Sequence, residues 1–314
     1  MAQSRTLAVC TAIYPGVEPF LPAWYRSLEA QTDRNFDLWI ALDDVSAASV
    51  EQIVGTSIKA RWISVDHGAT PAEVRQRVLA NATNTCDVVV LVDSDDLLHP
   101  SRVASARNAL QDSDLNACAL RLVDQGGAPL SHVIELPPGL QPSQILPRNN
   151  VFGLSNISCR SELLRRCLPI PAKVTLVDWY LATRAWLLGA RLSFDPVVRM
   201  DYRQHAANMA RVLGPFTPER IQYDSELVRR HFQIMRAGPP DRSIPERLAE
   251  LTRVGEEVEM FARQISRDAG LLAQYTAAFN GLSLPPLWWA SVAHPALQHL
   301  WKPIAHINES SAFR

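Results

Sequence analysis

A chain of 314 residues that is 47% hydrophobic and 20% charged has enough apolar side chain for a sizeable buried core. Its 31 basic and 32 acidic residues leave a formal charge of −1, which excludes the electrostatic excess of a non-specific nucleic-acid binder but not a focused site for a small anion. The longest uninterrupted apolar run, residues 88–92, is far short of a membrane span, and the five cysteines (Cys10, Cys86, Cys118, Cys159, Cys167) form no C-x-x-C pair, so we expect free thiols in a reducing cytosol and no zinc site.

Residues 6–13 read as a first strand, closed by the turn pair Pro15-Gly16. Residues 18–31 then carry Phe20, Leu21, Trp24, Tyr25 and Leu28 at helical spacing. A second strand over 36–42 ends in Asp43-Asp44, and a short helix over 45–54 and a third strand over 60–65 follow. Thr70 and Pro71 supply an N-cap and a first-position proline for a helix over 71–82. Residues 87–92 are so rich in Val and Leu that this fourth strand should be buried on both faces. Repeated strand–helix–strand order implies a parallel α/β sheet, which binds its ligands beyond the carboxyl ends of the strands.

The middle is less regular: a helix over 101–110, a strand over 117–123, a Pro-rich stretch over 136–147, a segment at 153–158, a helix over 178–188 and a strand near 191–194. We expect these to add mixed or antiparallel strands and loops over the crevice. After Gly214, the spacing of Leu251, Val254, Val258, Phe261 and Ile265, continued by Leu272, Tyr275 and Phe279, predicts one or two amphipathic helices. Their apolar face either packs on the first half or forms a homodimer seam. The tail over 284–306 gathers Trp288, Trp289 and Trp301 among Pro and His, suited to a domain contact or to peripheral membrane contact. The expected division is residues 1–213 and a helical extension over 214–314.

Chemistry concentrates at Asp93-Ser94-Asp95-Asp96, directly after the fourth strand. Three carboxylates this close raise one another's pKa unless a cation is present. Alternation sends Asp93 and Asp95 to one side, where they can share a metal or a metal-bound phosphate. The other reading is a solvated acidic turn with Asp96 starting a helix.

Taken together, Leu28, Gln31-Thr32, Phe36, Asp43-Asp44, Arg75 and Val92-Asp93-Ser94-Asp95-Asp96 resemble the inverting glycosyltransferases of family 2. Asp178-Trp179 and Tyr202-Arg203-Gln204-His205, with Asn208 after it, extend the resemblance to about residues 6–212, the last group being similar to rhamnosyltransferase-like members. The resemblance implies the GT-A fold, a Rossmann-like mixed sheet flanked by helices, with Mn²⁺ or Mg²⁺ held by a D-x-D motif. It implies that Thr11 and Ala12 line a nucleotide-base pocket and that Asp43 or Asp44, the family pattern favouring Asp44, accepts a hydrogen bond from the base. Arg75 would support the nucleotide or the acidic cluster, Asp93 would face the ribose or the metal, and Asp95 would hold the metal. Arg203 would pair with acidic groups or phosphates, and His205 would approach the metal or stay structural. Asp178 would be the catalytic base, an N-cap for the following helix, or both.

The sequence departs from the family in two places: Ile13-Tyr14-Pro15-Gly16 replaces the usual Pro-x-x-Asn, and Val177 stands where a Glu precedes the base. The function implied is metal-dependent, inverting transfer of a sugar from a UDP- or dTDP-linked donor to a glycan or lipid-linked hydroxyl, in bacterial surface glycan synthesis. That work would take place in the cytoplasm, at the inner face of the membrane. The rival is a catalytically silent module of the same fold that binds a nucleotide or glycan and scaffolds a partner.

Overall fold

The computed structural model describes residues 5–206, 208–238 and 243–302; residues 303–306 of the Trp-bearing tail lie outside the described residues. The chain begins with β1 (Leu7–Ile13), α1 (Leu21–Glu29), β2 (Asp37–Leu42), α2 (Ala47–Val54), β3 (Arg61–Ser64), α3 (Pro71–Thr83) and β4 (Val88–Leu91). Every residue of β1 and β4 is buried, as their unbroken apolar sequence requires. The start of α3 is fixed by a capping box: the Thr70 side chain accepts from the Glu73 N–H while the Glu73 carboxylate reaches back to Thr70. Such a cap is worth about 1 kcal/mol.

The second half continues with β5 (Leu97–Leu98), α4 (Arg102–Ala109), β6 (Leu115–Val123), β7 (Pro129–Ile134), α5 (Pro142–Ile145), β8 (Ser158–Arg160), α6 (Ser161–Cys167), α7 (Val177–Leu187) and β9 (Leu192–Arg203). The strand expected near 191–194 runs on to Arg203 as β9, whose register against β6 shifts near Cys118 and Ala119. The nine strands form one mixed sheet in the order β3-β2-β1-β4-β8-β6-β9-β5, with β7 paired to β6. Its first four are parallel, and β8 runs antiparallel to both neighbours. The expected α/β fold with antiparallel additions is therefore the observed one, and all five cysteines are buried and free.

The C-terminal region contains α8 (Pro218–Ala237), α9 (Pro245–Arg267), α10 (Ala269–Asn280), a 3₁₀ turn at Pro295–Leu297 and α11 (Gln298–Trp301). The amphipathic stretch is thus two helices, divided at Asp268, whose side chain caps α10 by accepting from Leu271 N–H. The long α8 has no counterpart in our sequence reading. Leu251, Val254, Val258, Phe261 and Ile265 are all buried within the chain, so this stripe is used in internal packing and is not left free as a dimer seam. Trp288, Trp289 and Trp301 are also buried, which makes them interior contacts and not membrane-facing indoles. No helix among the described residues is long and apolar enough to cross a membrane.

Candidate active site

The carboxyl ends of β1, β2 and β4 open into a cavity of about 430 Å³. Ala12 and Tyr14 line it from β1 and its following turn, Asp43 from the end of β2, Arg75 from α3, and Asp93 and Asp95 from the loop after β4. The parallel register that pairs Ile13 with Leu42 and Cys10 with Leu91 brings these strand ends into line. Asp178, at the second position of α7, and His205 and Asn208, after β9, add to the polar lining.

The acidic loop is held by a dense set of donors. Asp93 accepts from the Arg75 guanidinium at 3.2 Å, and its own N–H donates to Ser155 Oγ. Ser155 donates in turn to Asp96, which is fully buried and also accepts from the Arg203 N–H at 2.8 Å. Burial and the neighbouring Asp95 and Asp93 charges push the Asp96 carboxyl well above the usual range. Asp93 is raised as well, by burial and by Asp95, although Arg75 opposes the shift. Asp95 meets His205, Oδ2 to Nε2 at 3.0 Å, and the imidazole stacks on Phe20 with ring centroids 5.0 Å apart.

Of the two partners expected of Arg203, acidic groups or phosphates, the structure places it against the acidic loop. Its guanidinium is buried over the Phe20 ring and donates to the carbonyls of Asp95 and Gln125, so it clamps the acidic loop from behind and does not line the cavity. Asp96 starts no helix; it is this clamp's acceptor. Of the Asp43-Asp44 pair, only Asp43 lines the cavity, its pKa raised by burial and then by Asp44. Asp44 turns away, at φ 53°, and pairs with the exposed His67 at 2.8 Å; Ser46, not Asp44, caps α2. Thr11 is buried and does not reach the lining.

Asp178 is half-buried and its carboxyl is pushed up to about 7, chiefly by desolvation, with the charge of Asp93 adding to the rise. Trp179 N–H and Asn150 Nδ2 both donate to it, at 2.7 and 3.2 Å, and the Trp179 bond limits that shift. Leu176 occupies the N-cap position of α7, so Asp178 sits in the first turn and is not the cap. Trp179 fixes this turn: it is fully buried, donates to Leu146 O and stacks on His231 at 4.4 Å. Burial lowers the His231 pKa to about 3, leaving a neutral ring in that stack.

A profile described as glycosyl transferase family 2 matches residues 8–164, half of the chain. The chain belongs to glycosyl transferase family 2. No curated protein sequence matches it. In fold it is similar to the mannosyltransferase PcManGT from Pyrobaculum calidifontis, in complex with GDP-Man and Mn²⁺, with a TM-score of 0.58 at 16% identity over 90% of this chain and 77% of that one. It is also similar to residues 1–349 of S. aureus TarS in complex with UDP-GlcNAc, with a TM-score of 0.57 at 15% identity over 88% and 79%.

The cavity of this family 2 glycosyltransferase has a second wall that sequence reasoning left without a role. Leu120, Gly153, Leu154, Ser155, Tyr202 and residues 175–177 line it, together with Trp288 and Trp289 from the tail. The fully buried Asn150, which orients Asp178, also went unnoticed. The available signals were an amide pair, Asn149-Asn150, closing a Pro-rich stretch, and a Trp-Trp step directly after Pro285-Pro286-Leu287.

Proposed function

We propose that the chain transfers a sugar from a nucleoside-diphosphate donor to a hydroxyl acceptor, with inversion at the anomeric carbon and Asp178 as general base. The observation that carries this reading is one cavity shared by a carboxyl with a pKa of about 7 and by the crowded Asp93 and Asp95 carboxylates. A base titrating near neutrality is about half deprotonated at pH 7 and strong enough to take a hydroxyl proton as the oxygen attacks. Trp179 N–H and Asn150 Nδ2 hold its two oxygens, so orientation contributes beside basicity. Ala12 and Asp43 would meet the base, and Arg75 with Asp93 the ribose and phosphates.

Mn²⁺ or Mg²⁺ fits the donor set. Among the described residues no three His, Cys, Asp or Glu side chains come together as a complete metal cage. Asp95 and His205 do stand together at 3.0 Å, and hard divalent ions take one or two protein groups and fill their shell with phosphate oxygens and water. Asp95 and His205 would hold the ion, with Asp93 beside them. When bound, the ion supplies Lewis-acid stabilisation of the departing nucleoside diphosphate. The two similar structures, one holding GDP-Man with Mn²⁺ and the other UDP-GlcNAc, support a donor of this class. We propose UDP- or dTDP-linked donors, a glycan or lipid-linked acceptor and surface glycan assembly at the cytoplasmic membrane face, on the resemblance of residues 202–205 to rhamnosyltransferase-like members.

The test is a thermal-shift panel of UDP, GDP, dTDP and CDP with and without Mn²⁺ or Mg²⁺. A metal-dependent shift with one nucleotide, lost in Asp95→Ala, is expected. No shift with any nucleotide would sink the reading and return the silent scaffold.

A further inference from the structure

The turn that carries Trp288 and Trp289 to the cavity is strained. Trp289 sits at φ +65° and Ala293 at φ +47°, a region that residues other than glycine rarely adopt. Such backbone persists only where the surrounding structure over-determines it.

A side chain does most of that holding. Ser291 O and His294 N–H are the pair that would close a β-turn directly. The hydroxyl of Tyr275, in α10, bridges them instead, donating to the first at 2.9 Å and accepting from the second at 2.8 Å. Tyr275 is fully buried and its ring packs on Phe261 with centroids 4.7 Å apart, so the hydroxyl has a fixed position. Arg148 adds a bond to Ala293 O at 3.4 Å and is itself held by Glu257 of α9. Ser291 Oγ lies 3.5 Å from the buried Asp224 of α8.

The other end of the turn bears on the base. The main chain of Trp288 forms an antiparallel bridge with Asn150, whose amide donates to Asp178 at 3.2 Å. The Trp288 ring lies against Gly153 so closely that a Cβ there would come within 2.7 Å of it, and it meets Tyr202 edge-on at 5.7 Å. Gly153, Tyr202, Trp288 and Asp178 line the same cavity. Trp288 therefore closes the wall beside a carboxyl whose raised pKa comes chiefly from burial, with Asp93 adding to the rise and Arg75 opposing it.

We propose that Tyr275 is a positioning residue for the general base: its hydroxyl closes the turn over 291–294, which keeps Trp288 seated on Asn150 and Gly153 and keeps water from the Asp178 side of the cavity. Without the hydroxyl, Ser291 O and His294 N–H lose their shared partner, and the turn is driven to relax towards a direct bond between them, out of its positive-φ geometry. Trp288 is unseated as the turn moves, and water reaches Asp178. This rests on the reading of Asp178 as general base and adds to it a determinant in α10, far outside the residues that the family profile matches.

The experiment is carboxyl ¹³C NMR on the full chain with labelled aspartate, the Asp178 resonance being the one absent from Asp178→Asn. In wild type it should titrate near 7. Tyr275→Phe keeps the ring and removes only the hydroxyl. Its Asp178 midpoint should fall by about half a pH unit or more, because burial is the largest cause of the rise and its relief sets the sign. Asp268→Ala removes the cap of the same helix and leaves the hydroxyl in place, so it should melt lower with the midpoint unmoved. The proposal is overturned if Tyr275→Phe melts lower with an unmoved or raised midpoint, since the hydroxyl then serves stability alone. It is equally overturned if Asp268→Ala moves the midpoint as far as Tyr275→Phe does. Should Tyr275→Phe fail to fold, Gly153→Ala makes the test from the other end, its Cβ displacing the Trp288 ring, and an unmoved midpoint there overturns the proposal too. An Asp178→Asn chain that transfers sugar as fast as the parent would overturn the general-base reading separately, whichever way the Tyr275→Phe midpoint moves.

Discussion

The two sides of the cavity are built in different ways. On the β1–β4 side, β1, β2 and β4 each present a cavity residue at or just beyond the carboxyl end, in chain order, and parallel pairing lines those ends up. On the other side Asp178 comes from a helix start, Asn150 from a loop, Tyr202 and His205 from the end of β9, and the two tryptophans from the tail. The first side is ionic, with Arg75 against Asp93 and His205 reaching across to Asp95. The second side is apolar, and desolvation there keeps Asp178 near 7. Under the proposed function, the handling of an anion is thus separated from the handling of a proton, because each needs the dielectric that would spoil the other.

Removing the proton acceptor should break this division most severely. Asp178→Asn is expected to lower kcat by about 10²- to 10⁴-fold, with the nucleotide-induced melting shift unchanged. In the parent, kcat/KM should rise with pH through about 7 and level off above it, as Asp178 loses its proton. The stability sign is opposite. A carboxyl whose folded pKa is raised binds more protons folded than unfolded, so its contribution declines as pH climbs from the ordinary Asp value towards 7. Asp178→Asn should therefore melt higher than the parent at pH 8, by roughly 2 °C for each kcal/mol of desolvation relieved. A lower melting point at pH 8 would show that Asp178 is not desolvated.

The ionic side is the next to break. Asp95→Ala should abolish the metal-dependent part of nucleotide stabilisation, about 2.7 kcal/mol at a hundredfold excess over Kd. It should leave the metal-independent melting point within a degree or so. Arg75→Ala leaves the half-buried Asp93 carboxylate without its guanidinium and should weaken nucleotide binding about tenfold, the worth of one charged hydrogen bond. Equal losses in acceptor binding from either substitution would show that the two sides are not separable.

The same asymmetry governed what the sequence could reveal. Strand ends follow from period-two runs and from where they stop, so Asp43, Asp93 and Asp95 could be read as facing one crevice. Which of Asp43 and Asp44 faces it could not, because the answer lies in one backbone angle at Asp44. For Arg203, acidic groups and phosphates were both open as partners because its chemistry allows either; only the packing of Phe20 and the carbonyls of Asp95 and Gln125 shows its guanidinium already engaged. The helix at Asp178 was legible from local pattern, whereas Asn150 and Trp288 depend on contacts between segments 28 and 138 residues apart, measured from Asp178 and from Asn150 respectively. No periodicity encodes contacts of that kind.

Asn150 offers the finest test, because it touches both the base and the tail. Its amide donates to Asp178 Oδ2, which favours the charged carboxylate, and its main chain pairs with Trp288. It also holds Phe152 through both its side-chain oxygen and its nitrogen. Asn150→Ala removes a donor to the carboxylate while desolvation stays, so the acid limb of kcat/KM should move upward from about 7, by less than one pH unit. The melting point should fall too, since the buried Phe152 N–H loses its acceptor, a cost of about 1–3 kcal/mol. A purely structural asparagine would give the second effect without the first. The direction of the limb decides between them: an unmoved or downward-shifted limb would mean that Asn150 supports the loop alone, and that the tail reaches the base through Trp288 packing on Gly153 and Tyr202 instead.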